Sequence, residues 1–240
     1  MNNRVYKFIT AKYGVDDLKN RRLKLSTIDD LNDPFDHYAI DTSNSKIAYA
    51  VAAAISEFKR DTRLVCFSRN WDNILLWSHY AASHTGLCLG FDIPDRANFY
   101  LDVRYQPNLL RFEDLTGNLQ DPAMAFDFAK RLVSTKHESW SYEQEVRIFI
   151  RINDPSDQNG LSWIPFDPML ELKEVIIGVQ CNADDVNNVC EVLKGYPEQI
   201  ECTWAYMRSD AFLLIRSKTT HANAFRPSER AFALRRDIRS

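Results

Sequence analysis

Trp140-Ser141-Tyr142-Glu143-Gln144-Glu145-Val146-Arg147-Ile148-Phe149-Ile150-Arg151-Ile152 is the stretch whose reading decides the fold. From Val146 onward it alternates, with Val146, Ile148, Ile150 and Ile152 on one side and Arg147, Phe149 and Arg151 on the other. That is the period-two signature of a half-buried strand. Carried backwards, the same period predicts that Glu143 and Glu145 share a face with Arg147. Side chains two apart in a strand stand roughly 7 Å from each other, so Arg147 can hold Glu145 ionised while Glu143 remains available. Two carboxylates at the entry of a strand, beside aromatic residues, suit hydroxyl binding or stabilisation of a developing positive charge. The same residues also fit a ladder of charges on the wet face of a sheet, Arg147 and Arg151 relieving the repulsion between the two glutamates.

A chain of 240 residues with 45% hydrophobic and 12% aromatic content carries a real core and has the length of one substantial domain. We expect a single α+β domain over 1–217, followed by a basic tail or extension over 218–240. From Arg216 to Ser240 there are seven Arg or Lys against Glu229 and Asp237, on a chain whose net charge is −3. Such an end either touches nucleic acid or a phosphate-bearing partner, or is a solvated tail. Neither GxGxxG nor GxxxxGK[ST] occurs, which leaves Rossmann and P-loop nucleotide sites without support. Cys66, Cys88, Cys181, Cys190 and Cys202 are odd in number and form no CxxC pair, a pattern of reduced, buried thiols rather than disulfides or a zinc site. The opening residues do not read as a signal peptide, and the longest apolar run, Ile47–Ile55, is too short to span a bilayer. A cytoplasmic protein without membrane partners is the expectation.

Strands are predicted over Val5–Thr10, Arg63–Ser68, Leu87–Ile93, Asn98–Tyr105, Glu174–Gly178, Ile200–Ala205 and Ala211–Arg216. Helices are predicted over Val15–Lys24, Ser45–Asp61 with Ser45 as N-cap, Asp72 to about His84 with Asp72 as cap, Pro122–Thr135 and Ala183–Leu193. Asn32-Asp33-Pro34-Phe35-Asp36 reads as a turn that Phe35 anchors, and Asn153–Gly160 as a polar loop. Strands with interspersed helices give an α+β fold with a mainly antiparallel sheet.

On the helix that begins near Asp72, Trp77 reads as core, and Tyr80 shares its stripe. His79 and His84 are five apart and so are poor joint metal ligands. His79 can instead donate a hydrogen bond to a ligand or to a backbone carbonyl. Ser68, His79 and Asp33 or Asp36 contain the residue types of a hydrolytic triad, but no GxSxG surrounds Ser68.

Tyr6-Lys7-Phe8, Asn32-Asp33-Pro34-Phe35-Asp36, Cys66-Phe67-Ser68, Leu76-Trp77-Ser78-His79-Tyr80-Ala81, His84-Thr85-Gly86, Trp140 to Arg147 and Glu174-Val175-Ile176-Ile177-Gly178 occur in this order. Together they resemble an uncharacterised bacterial family, domain of unknown function 2971. The order of a first strand with Tyr and a polar residue, a basic turn, a strand ending in Ser, an aromatic helix and a strand opened by Glu-x-Glu is also similar to ADP-ribosyltransferases.

That second resemblance implies mainly antiparallel split sheets with surrounding helices, gripping NAD, which is the substrate rather than a resident cofactor. It implies that Glu145 or Glu143 is catalytic, that Ser68 supports the nicotinamide side, and that Tyr6 and Lys7 contact the dinucleotide. Tyr80 or Trp140 can stack on nicotinamide, with His79 and Arg147 as further binding residues. The sequence departs from the pattern where the superfamily has Arg or His on the first strand and a Ser-Thr-Ser run. The activity implied is transfer of ADP-ribose to a protein, nucleic-acid or water acceptor, in a toxin or antiphage effector. Two other readings stay open. One is a non-catalytic nucleotide or nucleic-acid binding module using Lys7, Arg22, His79 and Arg147. The other is a phosphodiesterase in which Asp33, Asp36, Glu143 and Glu145 hold Mg²⁺.

Overall fold

The computed structural model describes residues 3–94, 100–114, 121–152 and 161–218. The expected basic extension beyond residue 218, the loop Asn153–Gly160 and the first two residues of the strand expected from Asn98 lie outside the described residues. Along the chain, β1 (Arg4–Ile9), α1 (Ala11–Asn20), β2 (Arg22–Leu25), α2 (Ser45–Asp61) and β3 (Thr62–Ser68) come first. They are followed by α3 (Ile74–Tyr80), β4 (Leu87–Asp92), and the short strands β5 (Tyr100–Asp102) and β6 (Arg104–Gln106). Next come α4 (Pro122–Leu132), β7 (Thr135–His137), β8 (Glu145–Arg151) and β9 (Ser162–Pro165). The last elements are β10 (Glu171–Ile177), α5 (Ala183–Leu193), β11 (Glu201–Met207) and β12 (Leu214–Lys218). The architecture is α+β and its main sheet is mostly antiparallel. No helix among the described residues is long and apolar enough to cross a membrane.

The chain divides into two compact units, one of residues 1–23, 67–94 and 165–240, the other of residues 24–66 and 95–164. In the first, strands lie in the order β12-β11-β10-β4-β1. β4 runs antiparallel to both neighbours, and β10 is parallel to β11. Residues 87–91 of β4 and 174–177 of β10 are buried without alternation, the pattern of strands covered on both faces. Trp77 of α3 is wholly buried, with its ring edge-on to Phe8 at 5.3 Å and its indole N–H donating to the Trp71 carbonyl at 2.7 Å. Satisfying that N–H lets so large a ring be buried without the penalty of an unpaired donor. Tyr6 of β1 lies opposite Ser68, the last residue of β3.

In the second unit β8 lies between β3 and β5. Val51, Ile55 and Phe58 of α2 and Phe128 and Leu132 of α4 form its core with Ile40 and Leu64. The 3.6-residue spacing of those side chains is why both segments are helical and why they pack on one face.

Several local expectations are corrected. The N-cap of α2 is Asn44, whose Oδ1 accepts from Lys46 N at 2.9 Å, and Ser45 is already helical. The cap of α3 is Asn73 rather than Asp72, and the helix ends at Tyr80. Ala82, Ser83 and His84 adopt positive φ values of 47°, 54° and 67°, a left-handed run that no helix continues through. Phe35 does not anchor its turn and is 67% exposed. The anchor is Asp33, whose Oδ1 accepts from Phe35 N at 2.9 Å.

Candidate functional site

The second unit contains a closed group of charges built from three separate segments. Glu145 opens β8 and is 6% exposed, and Arg147, two residues on, is 0% exposed. The expected pairing between them is present: Arg147 Nε donates to Glu145 Oε1 at 2.8 Å and Nη2 to Oε2 at 2.9 Å. Nη2 also donates to Asp36 Oδ1 at 2.7 Å, and Nη1 to the Val133 carbonyl. The expected wet face is absent here, because Val146 and Ile148 are buried on one side and Arg147 on the other.

Glu143 is not part of the strand. It closes a 3-10 turn, Glu138–Glu143, and Gln144 then takes a left-handed conformation at φ 43° before β8 begins. The alternation therefore does not extend back through Gln144. Glu143 still reaches the cluster, 4% exposed, because Lys136 gathers it in. Lys136 Nζ lies 2.8 Å from Glu143 Oε2, 2.9 Å from Glu145 Oε2 and 3.7 Å from Asp36 Oδ2. Lys136 is placed by the pairing of β6 with β7, opposite Tyr105. Tyr105 accepts from Glu145 N at 2.8 Å, and the Trp140 ring lies 5.3 Å from the Lys136 ammonium.

Asp36 arrives from more than a hundred residues upstream through the Asn32–Asp36 turn, where Asp36 N donates to the Asp33 carbonyl at 3.0 Å. Its carboxylate is wholly buried, and Oδ2 accepts no hydrogen bond among the described residues.

Burial opposes ionisation throughout this group, and the partners decide the outcome for each member. For Glu145, burial would raise the pKa, but Arg147, Lys136 and a hydrogen bond from Cys66 bring it down to about 2. For Asp36, burial prevails over Arg147 and Lys136, and its pKa is raised. Burial would lower the pKa of Lys136, but Glu145, Asp36 and Glu143 hold it above the ordinary lysine value. Tyr105 is pushed up to about 12, by burial and by its carboxylate neighbours. Glu145 is thus a fixed negative charge, and Asp36 is the acid of the group that burial makes easier to protonate.

The remaining expected site residues belong to the first unit. Tyr6 is buried, and its hydroxyl donates to Glu174 Oε1 at 3.2 Å. Lys7 is half-buried on β1, and its charge acts on Asp17. Ser68 is buried, and its Oγ accepts from Asn70 N at 3.1 Å. His79 is exposed and Tyr80 half-buried, their rings 6.2 Å apart at the end of α3. Arg147, expected to bind a ligand, is enclosed and engaged with carboxylates and a carbonyl. The geometry makes it the group that holds Glu145 in place.

Two features escaped the sequence. Lys136 was one, since nothing in Ser134-Thr135-Lys136-His137 distinguishes it from a surface lysine. The other is a buried carboxylate outside that group, Glu174, which Arg4 Nη1 contacts at 2.5 Å and to which Arg216 also donates. A glutamate followed by Val175-Ile176-Ile177 in an apolar strand was the available signal. Among the described residues no group of three or more His, Cys, Asp or Glu side chains is arranged to hold a metal ion.

Residues 76–148 match the model of a family described as a protein of unknown function, DUF2971, as the motifs within that span led us to expect. No curated protein and no solved structure matches the chain.

Proposed function

We propose that the chain cleaves the nicotinamide–ribose bond of NAD and transfers ADP-ribose to an acceptor, with Glu145 as the stabilising carboxylate. The observation that carries this reading is the state of Glu145: desolvated, ionised and held by Arg147 at the start of the strand where the resemblance to ADP-ribosyltransferases requires a glutamate. A further observation bears on the same carboxylate: the Cys66 side chain bonds Glu145.

The chemistry follows from the charge. As the C1′–N bond breaks, its electron pair leaves with nicotinamide, and the ribose takes on oxocarbenium character. A fixed carboxylate near the ribose hydroxyls offsets that positive charge, more strongly in a desolvated site than in water. The acceptor's lone pair then closes on C1′, and its proton is released. Arg147 and Lys136 act as positioning residues that keep Glu145 ionised. Glu143, on the same ammonium, is the second carboxylate available to a hydroxyl.

The Mg²⁺ phosphodiesterase reading is not favoured. Asp36, Glu143 and Glu145 do converge, but Lys136 Nζ occupies the point of convergence, within 2.8 to 3.7 Å of all three. The test is incubation of the purified chain with NAD, with and without cell extract, following nicotinamide by chromatography. Glu145→Gln is expected to slow release by about a hundredfold or more. Absence of release under every condition, or a fully active Glu145→Gln protein of intact fold, overturns the proposal.

A further inference from the structure

The ribbon of β6 and β7 has two faces. Paired residues alternate sides along it. Tyr105 and Lys136 go to the carboxylates, while the flanking pairs Arg104–Thr135 and Gln106–His137 take the other side. On that side, Arg104, Gln106 and Thr135 line a concavity of about 700 Å³, together with Phe128 and Arg131 of α4 and Ser134. A volume of this size suits a small-molecule ligand.

The lining is short of partners in a particular way. The guanidinium groups of Arg104 and Arg131 are exposed and make no ion pair or hydrogen bond among the described residues. Ser134 completes that side of the lining. Lys130 adds a third cation to the lining, against the carboxylates of Asp102 and Asp127, so the balance is positive. Leu101, Val103 and Phe128 supply an apolar wall.

We propose that this concavity binds a phosphate-bearing small molecule, with Arg104 and Arg131 on the phosphate and the apolar wall against the organic part. Planar guanidinium groups match phosphate geometry in two-point contacts, which makes arginine the suited residue for the purpose. The site faces away from the carboxylate cluster and does not depend on NAD cleavage.

The test is calorimetric titration of the full chain with AMP, adenosine and inorganic phosphate at low salt. AMP is expected to bind saturably, with adenosine weaker by about tenfold or more, since one charge-assisted hydrogen bond is worth about that factor. Arg104→Ala and Arg131→Ala should each weaken AMP by about tenfold, and both substitutions are at exposed positions, so circular dichroism should show an unchanged fold. Phosphate binding as tightly as AMP would identify the free anion as the ligand of the same arginines. No saturable AMP or phosphate binding up to about 10 mM, or AMP binding indifferent to both arginine substitutions, overturns the proposal.

Discussion

Arg147 holds Glu145 along one edge of its guanidinium group, Nε 2.8 Å from Oε1 and Nη2 2.9 Å from Oε2. The pair is two residues apart on one strand, so the backbone itself sets the geometry and little side-chain freedom is lost in forming it. The third segment enters through Nη2, which reaches Asp36 at 2.7 Å. A single guanidinium therefore ties the Asn32–Asp36 turn to β8.

Removing that guanidinium should be costly. Arg147→Ala leaves two buried carboxylates without their main partner, and the expected loss is about 3–5 kcal/mol in urea unfolding. Arg147→Lys keeps the charge but not the two-point contact and should fall between the wild type and Arg147→Ala. Equal stability of Arg147→Ala and wild type would show that the cluster does not brace the unit.

The acid limb of stability should report Glu145. Its pKa is about 2 in the folded chain against 4.5 ordinarily, so the unfolded state binds the proton first as pH falls. Its contribution is complete above about pH 4.5 and drains away as pH falls towards 2. Glu145→Gln should remove this part of the pH dependence, measured as the midpoint of thermal unfolding from pH 2 to pH 6.

Asp17 gives the opposite sign. Burial raises its pKa from 3.8 to about 7, so the folded chain binds the proton more tightly and stability falls as pH rises between those values. Asp17→Asn, which mimics the protonated acid, should stabilise the chain at about pH 8 and change little at about pH 3. A variant equally affected at both values would show that the carboxyl is not the source.

Gly90 makes room for Glu174. A Cβ at that position would lie 2.4 Å from Glu174 Cγ, and Arg4 and Tyr6 hold that side chain in place. Gly90→Ala should cost about 1–3 kcal/mol by overpacking. Gly90→Ala combined with Glu174→Ala should cost less than the two changes summed, a coupling that a double-mutant cycle measures directly.

Lys136 bears on activity. Lys136→Met takes away the ammonium shared by Glu143 and Glu145, so protonation of Glu145 becomes easier. The acid limb of nicotinamide release should move to higher pH, with the rate at alkaline pH less affected. An unshifted limb would separate Lys136 from the reacting carboxylate.

How far the sequence could be read is clearest at β8. Val146 to Arg151 announced a strand, and the spacing of Glu145 and Arg147 announced their contact, because both follow from a period of two along one segment. The alternation misplaced Glu143, since it gives no warning that Gln144 turns left-handed. His84 failed for a similar reason: three successive residues at positive φ follow α3, and only Gly86 hinted at the stop. Helix caps were missed by one residue at both α2 and α3, where adjacent Asn, Ser and Asp compete for the same role.

By itself the sequence determined much of what repeats locally: most strands and helices, the apolar faces that bury them, and the Glu145–Arg147 pair. Residues 22–24, expected at the end of a helix over Val15–Lys24, instead begin strand β2, and β9 was not expected. Only the tertiary structure decided that Asp36 and Lys136 join that pair in a buried group, and that Glu174 lies between Arg4 and Arg216. The reason is physical. A charge is held ionised or made easy to protonate by partners within a few ångströms, and those partners come from segments that only strand pairing and turn geometry bring together.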